Sequence, residues 1–177
     1  MKIDVIYVIS LITDPSDISV KIKNLRMETD TPFYVVPAVN GWDIHNGIAT
    51  APYENYNEAK WWKLESNPNE PQDDWWSRNL TPGEIGCGLS HYSLIENTYN
   101  QGFENILILE EDFFNIGDKF PEFELNYLIN DWSMCYLGRS PVRPEKDVRI
   151  NESVIKTGYS FNSHAYVLSR KGMKEIL

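Results

Sequence analysis

Cysteine is nearly absent from the chain: there are two, Cys87 and Cys135, in 177 residues. That number rules out a disulfide-stapled scaffold and a cysteine metal site. Each cysteine sits in an apolar segment, so the expectation is reduced, buried thiols and a cytoplasmic setting. Long apolar runs are also missing. The N-terminal MKIDVIYVISLITDPSD is broken by Asp4, has no small-residue cleavage site, and falls short of the roughly 20 residues that a membrane helix requires. It reads as a buried strand, and no transmembrane segment is expected. Positive charge is scarce: 16 Lys and Arg against 26 Asp and Glu leave a net charge of −10. No basic cluster of the kind that engages a phosphate backbone is present, which argues against a nucleic-acid partner. An anionic ligand is expected to bring a metal with it.

What is there is apolar and aromatic material enough for one core. Apolar residues make up 42% and aromatics 13%, and the length suits one globular domain over 1–177. KIDVIYVISL (2–11) has the β-branched bias of a central strand, and TDPSD after it carries turn formers. Ile18, Ile22 and Leu25 are spaced for a helix over 16–27, and FYVVPAV (33–39) reads as a second strand closing at Asn40-Gly41. A β-α-β opening favours parallel pairing and an α/β class.

Regularity then breaks down over 42–80, a Trp-rich excursion with one helix expected near 57–65; such excursions in compact domains are more often functional than linking. Thr81, Pro82 and Glu84 spell a capping box for a helix that Gly102 stops. NILILEED (105–112) and WSMCYLG (132–138) read as strands, RSPVRPEKDVRINE as a loop, SVIKTG and SHAYVLS as two more strands, and RKGMKEIL as a helix. No capping signal closes that last helix, so the chain is expected to be part of something longer.

Two anomalies point to chemistry. The run ILILEEDF (106–113) ends in three adjacent carboxylates, Glu110, Glu111 and Asp112. If the strand stays extended, Glu110 and Asp112 share a face at the C-terminal edge, where open α/β sheets bind ligands. Oxygen donors of this kind suit Mg²⁺ or Mn²⁺ beside a substrate phosphate; the alternative is a solvated acidic loop. The second anomaly is Gly83, Gly86 and Gly88 in the first turns of a helix, each costing about 1 kcal/mol relative to Ala. Close packing by a neighbouring element or a ligand would explain them. Glu84 and His91, seven apart, share that helix face with Gly88 between them.

LTPGEIGCGLSH (80–91) followed by ILILEEDF, together with IYVISL (6–11), PAVNG (37–41) and HAYVLSRKG (164–172), resembles glycosyltransferase family 25, the group of bacterial lipooligosaccharide glycosyltransferases and procollagen galactosyltransferases. The resemblance implies a glycosyltransferase A-type, Rossmann-like α/β domain, with a mixed, mostly parallel sheet flanked by helices. It further implies inverting transfer of a hexose, galactose or glucose, from a UDP-sugar to a saccharide or protein hydroxyl, with Mn²⁺ or Mg²⁺ as cofactor.

Carried over residue by residue, Glu110 and Asp112 become the metal site. Ser10, Leu11, Asn40, Gly41, Glu84, Ser90, His91 and Glu110 would border the nucleotide sugar, and Glu84 and Glu111 are the candidates for the acceptor-activating base. Glu111 stands where the family usually has Asp, and Asn40 where Asp is common. The basic residues common after the first strand are replaced by ITDPSD, leaving Lys21, Lys23 and Arg26 for the diphosphate. Members also continue beyond the SRKG helix, so a base or part of an acceptor site is expected outside this chain. Trp61, Trp62, Trp75 and Trp76 offer an acceptor platform, or equally cover a core edge. Three classes of function follow: an active transferase, a non-catalytic nucleotide-sugar or glycan-binding relic, and a Trp-rich interaction domain.

Overall fold

A computed structural model of the chain describes residues 2–11, 30–53, 80–113, 131–142, 144–158 and 160–177. The helices expected over 16–27 and 57–65, the cations Lys21, Lys23 and Arg26, and all four Trp residues of the acceptor proposal lie outside these residues. Two compact units are formed, Met1–Pro37 with Ile95–Leu177, and Ala38–Leu94.

The first unit is built on a five-stranded sheet. β1 (Val5–Ser10) and β3 (Asn105–Glu110) are apolar at nearly every position and buried throughout except for Glu110 at the end of β3. That continuous pattern belongs to strands covered on both faces. β1 pairs in parallel with β2 (Phe33–Pro37) on one side and with β3 on the other. β3 is joined antiparallel by β7 (Ser160–Ser169), and β7 pairs antiparallel with β4 (Met134–Pro141). The order is β2-β1-β3-β7-β4, an α/β sheet of mixed type in which only β7 runs against the rest. Pro37, which has no N–H to donate, ends an edge strand, as its chemistry requires. A separate two-stranded pair joins β5 (Val148–Arg149) and β6 (Ile155–Lys156).

Ile6 and Val8 of β1, Leu107 and Leu109 of β3, and Ala165 and Val167 of β7 form one buried cluster with Ile3, and Phe33, Val35, Phe113 and Leu137 pack against it. The opposite face carries Tyr7, whose phenol bonds to Thr98 and is pushed up in pKa chiefly by burial. The carboxylate of Asp4, the interruption noted in the N-terminal run, accepts from the amides of Glu104 and Asn105, both at 2.9 Å. It ties the start of β3 to the approach to β1.

Helix α1 (Gly41–His45) is followed by the long α2 (Pro82–Asn100), within which the division between units falls, and the chain's last helix is α3 (Arg170–Ile176). Gly102, at φ +86°, stops α2 as expected. Within the first unit the α3 end of β7 closes tightly: a Cβ on Gly172 would lie 2.1 Å from the carbonyl oxygen of Ser133. Arg170 lies over the Tyr99 ring at 4.2 Å and donates to the Tyr99 and Phe103 carbonyls. It thereby adds a second donor to the Tyr99 carbonyl, which also accepts from Gly102 N, and ties the helix end to the segment leading into β3.

Several sequence expectations need correction. β3 stops at Glu110, so the extended geometry assumed through Asp112 does not persist. β4 runs on to Pro141, into the segment expected to be loop. Gly41 begins a helix, because the Asn40 side chain accepts from Trp42 N and caps it. Cys87 is exposed and Cys135 half-buried, so neither is in a disulfide but the two are not both buried. Among the described residues, no helix is long and apolar enough to cross a membrane.

Candidate functional site

At the C-terminal end of β3 the chain turns sharply. The amide of Phe113 donates to the Glu110 carbonyl at 2.9 Å, closing a four-residue turn with Glu111 and Asp112 at its two central positions. Phe113 anchors the far side of the turn against the core cluster. Reversal of the chain, rather than strand alternation, brings the Asp112 carboxylate back beside Glu110.

β7 supplies a third group. Its antiparallel register sets Ala165 opposite Leu109, so His164, one residue earlier, falls level with Glu110. The Nδ1 atom of His164 lies 4.0 Å from an Asp112 oxygen. One ligand atom each from Glu110, Asp112 and His164 fall within 4.8 Å of one another. Asp112 is largely exposed, at 69% of its side chain, and His164 about half that, at 35%, so the set opens to solvent on one side. Two carboxylates held this close repel, and a divalent cation offsets that repulsion. Their oxygens suit Mg²⁺ or Mn²⁺, and the imidazole favours the softer Mn²⁺. His164 was missed from the sequence as a site residue: it was legible as part of a strand, but its neighbour depended on strand order.

Glu111 points elsewhere. Its Oε2 accepts from Ser10 Oγ at 2.5 Å and from Leu11 N at 3.1 Å, joining the turn after β3 to the end of β1. Ser10 is buried and Leu11 exposed.

The remaining candidates belong to the second unit. Thr81 N donates to Glu84 Oε2 at 2.7 Å and Glu84 N to Thr81 Oγ1 at 3.3 Å, the reciprocal capping box expected of these residues. The Glu84 carboxylate therefore serves the helix start. Ser90 Oγ accepts from Val39 N at 2.7 Å and donates to the Gly86 carbonyl at 2.6 Å. Gly86 is where the glycine anomaly resolves as close backbone packing: a Cβ there would lie 2.5 Å from both Gly41 N and Val39 O, while one on Gly88 meets nothing within 4 Å among the described residues. A Cβ on Gly41 would lie 1.7 Å from the Pro82 carbonyl oxygen. Gly41 and Ser90 thus meet at a backbone junction with Val39, Pro82 and Gly86, while Asn40 and Glu84 each cap the start of a helix beside it. His91 is half-buried on the same helix.

The family model described as glycosyltransferase family 25 (LPS biosynthesis protein) matches residues 3–177. The rat probable inactive glycosyltransferase 25 family member 3 is 31% identical over 186 residues, covering all of this chain and 30% of the relative. The human inactive glycosyltransferase 25 family member 3 is 30% identical, covering 98% of this chain and 28% of its own length. Zebrafish procollagen galactosyltransferase 1 is 33% identical over 115 residues, or 59% of this chain and 19% of the relative. The chain therefore spans less than a third of these relatives. With a mixed α/β sheet and a match running over almost its whole length, the chain belongs to glycosyltransferase family 25.

Proposed function

We propose that the chain carries the donor half of a metal-dependent glycosyltransferase that takes a hexose from a UDP-sugar for transfer to a saccharide or protein hydroxyl. The observation that carries this reading is the convergence of Glu110, Asp112 and His164 at the C-terminal end of a central strand, the edge where open α/β sheets hold nucleotides. These three would hold Mn²⁺ or Mg²⁺, which when bound supplies charge stabilisation to a departing nucleoside diphosphate. The chain's own contribution is orientation: the turn at 110–113 aims the two carboxylates, β7 sets the imidazole, and Ser10 and Leu11 border the nucleotide from the end of β1. A galactosyl donor is favoured by the name of the zebrafish relative.

Calorimetric titration with UDP in the presence and absence of Mn²⁺ tests the reading. Metal-dependent UDP binding is expected, and Asp112→Asn should weaken it at least about tenfold, as removing a ligand or its support commonly does. Failure to bind UDP in the presence of Mn²⁺ would overturn it.

A second reading is favoured by the relatives named inactive: a domain that binds the nucleotide sugar without turning it over. Incubation with UDP-galactose and UDP-glucose separates the two, since only the active form releases UDP when an acceptor is supplied.

A further inference from the structure

We propose that Glu111 is a positioning residue, a carboxylate clamp that locks the turn presenting Glu110 and Asp112 and, through the same oxygen, the end of β1. This rests on the metal reading above and gives Glu111 a role distinct from acceptor activation. Its Oε2 receives both Ser10 Oγ and Leu11 N, donors that lie about a hundred residues away in sequence and belong to the adjacent parallel strand. β1 and β3 are in register at Ile9 and Glu110, so Ser10 and Glu111 are the first residues beyond the paired stretch. From there the two chains would otherwise splay.

Besides the approach of Asp112 to His164, three attachments among the described residues bear on the turn. The Phe113 amide closes it on the Glu110 carbonyl, the Phe113 ring packs against the core cluster, and the Glu111 side chain ties its outer corner to β1. The first two leave the turn able to tilt about the β3 axis. The third stops that tilt, which would carry Asp112 away from Glu110 and His164. Asp4 does the same service at the opposite end of the strand pair, accepting from the amides of Glu104 and Asn105. The β1–β3 pair is thus clamped by an acid at each end.

Length is the property that matters at position 111. An Asp there would be one methylene shorter and could meet Ser10 and Leu11 only if the turn moved toward β1, displacing Asp112. A Gln keeps the reach and one acceptor oxygen.

The test is Mn²⁺ affinity, read from the loss of the free-ion electron paramagnetic resonance signal, in Glu111→Asp, Glu111→Gln and Glu111→Ala, with the exchange rate of the Leu11 amide measured in the metal-free proteins. Glu111→Asp and Glu111→Ala are expected to weaken Mn²⁺ by about 10- to 100-fold, the range for lost supporting contacts. Glu111→Gln should cost no more than about fivefold, the screened loss of one nearby charge. Leu11 exchange should quicken in the Asp and Ala variants alone. Equal losses in Gln and Asp would show that Glu111 acts by charge or direct ligation and overturn the proposal, as would unchanged affinity in Asp. If the unsubstituted chain binds no Mn²⁺, the metal reading fails by itself. Leu11 exchange then decides the clamp: faster in Asp than in Gln supports it, equal rates overturn it. Matching thermal midpoints between the Gln and Asp variants exclude misfolding as the cause.

Discussion

Arg139 on β4 works in two directions. One guanidinium nitrogen donates to Ser160 Oγ at 3.1 Å and the other pairs with Asp147, whose second oxygen accepts from Gly158 N at 3.2 Å. One carboxylate thus holds both ends of the segment containing the β5–β6 pair. The Arg139 hydrogen bond first, and the Gly158 amide second, hold the Asp147 carboxyl below its usual pKa. Because the folded value is depressed, the stabilisation is complete above the ordinary carboxylate pKa of about 3.9. It is lost as pH falls through the lower, folded value. The Gly158 amide resonance should therefore titrate with a midpoint below that of a free aspartate, and Asp147→Asn should remove the transition and loosen the β5–β6 pair at neutral pH. A midpoint at the ordinary value would show that the contact is absent in solution. Burial pushes the Cys135 thiol the other way, upward, so it remains protonated at neutral pH. At the metal-site candidates the residue types were legible in the sequence: two acids, two apart, after an apolar strand. Their meeting was not, since it comes from a turn rather than from strand alternation.

Elements show where local chemistry suffices. The start of α2 was readable because a capping box is made between residues three apart, and its stop because Gly102 supplies a left-handed backbone. The three glycines between them looked alike in sequence and are not alike in space. Gly86 is obligatory where it meets the backbone of Val39 and Gly41, whereas Gly88 faces no described atom within 4 Å. Gly88→Ala is therefore expected to raise stability by up to about 1 kcal/mol through helix propensity. Gly86→Ala should lower it by about 1–3 kcal/mol through overpacking. Thermal or urea unfolding of the two variants checks the contrast, and similar effects at both positions would refute it. Asn40 illustrates the limit of reading by element: the sequence pattern closes a strand there, and the next five residues form a helix that it caps.

At the scale of the molecule, the sheet decides stability and the site together. Leu107 is fully buried in the central strand, while Ile48 is 75% exposed. Leu107→Ala should destabilise by about 2–5 kcal/mol, whereas Ile48→Ala should stay within about 0.5 kcal/mol; denaturant midpoints measure both. The α/β class, most strands, the capped helix and the family are legible along the chain, because each rests on patterns of neighbouring residues or on ordered blocks. Tertiary structure alone decided that β7 lies antiparallel beside β3 and so brings His164 to the carboxylates. It alone directed Glu111 to Ser10 and Leu11, about a hundred residues away. Local bonding is written in residue spacing. Which strands become neighbours, and in what register, depends on burying their faces together, and no short stretch of sequence carries that information.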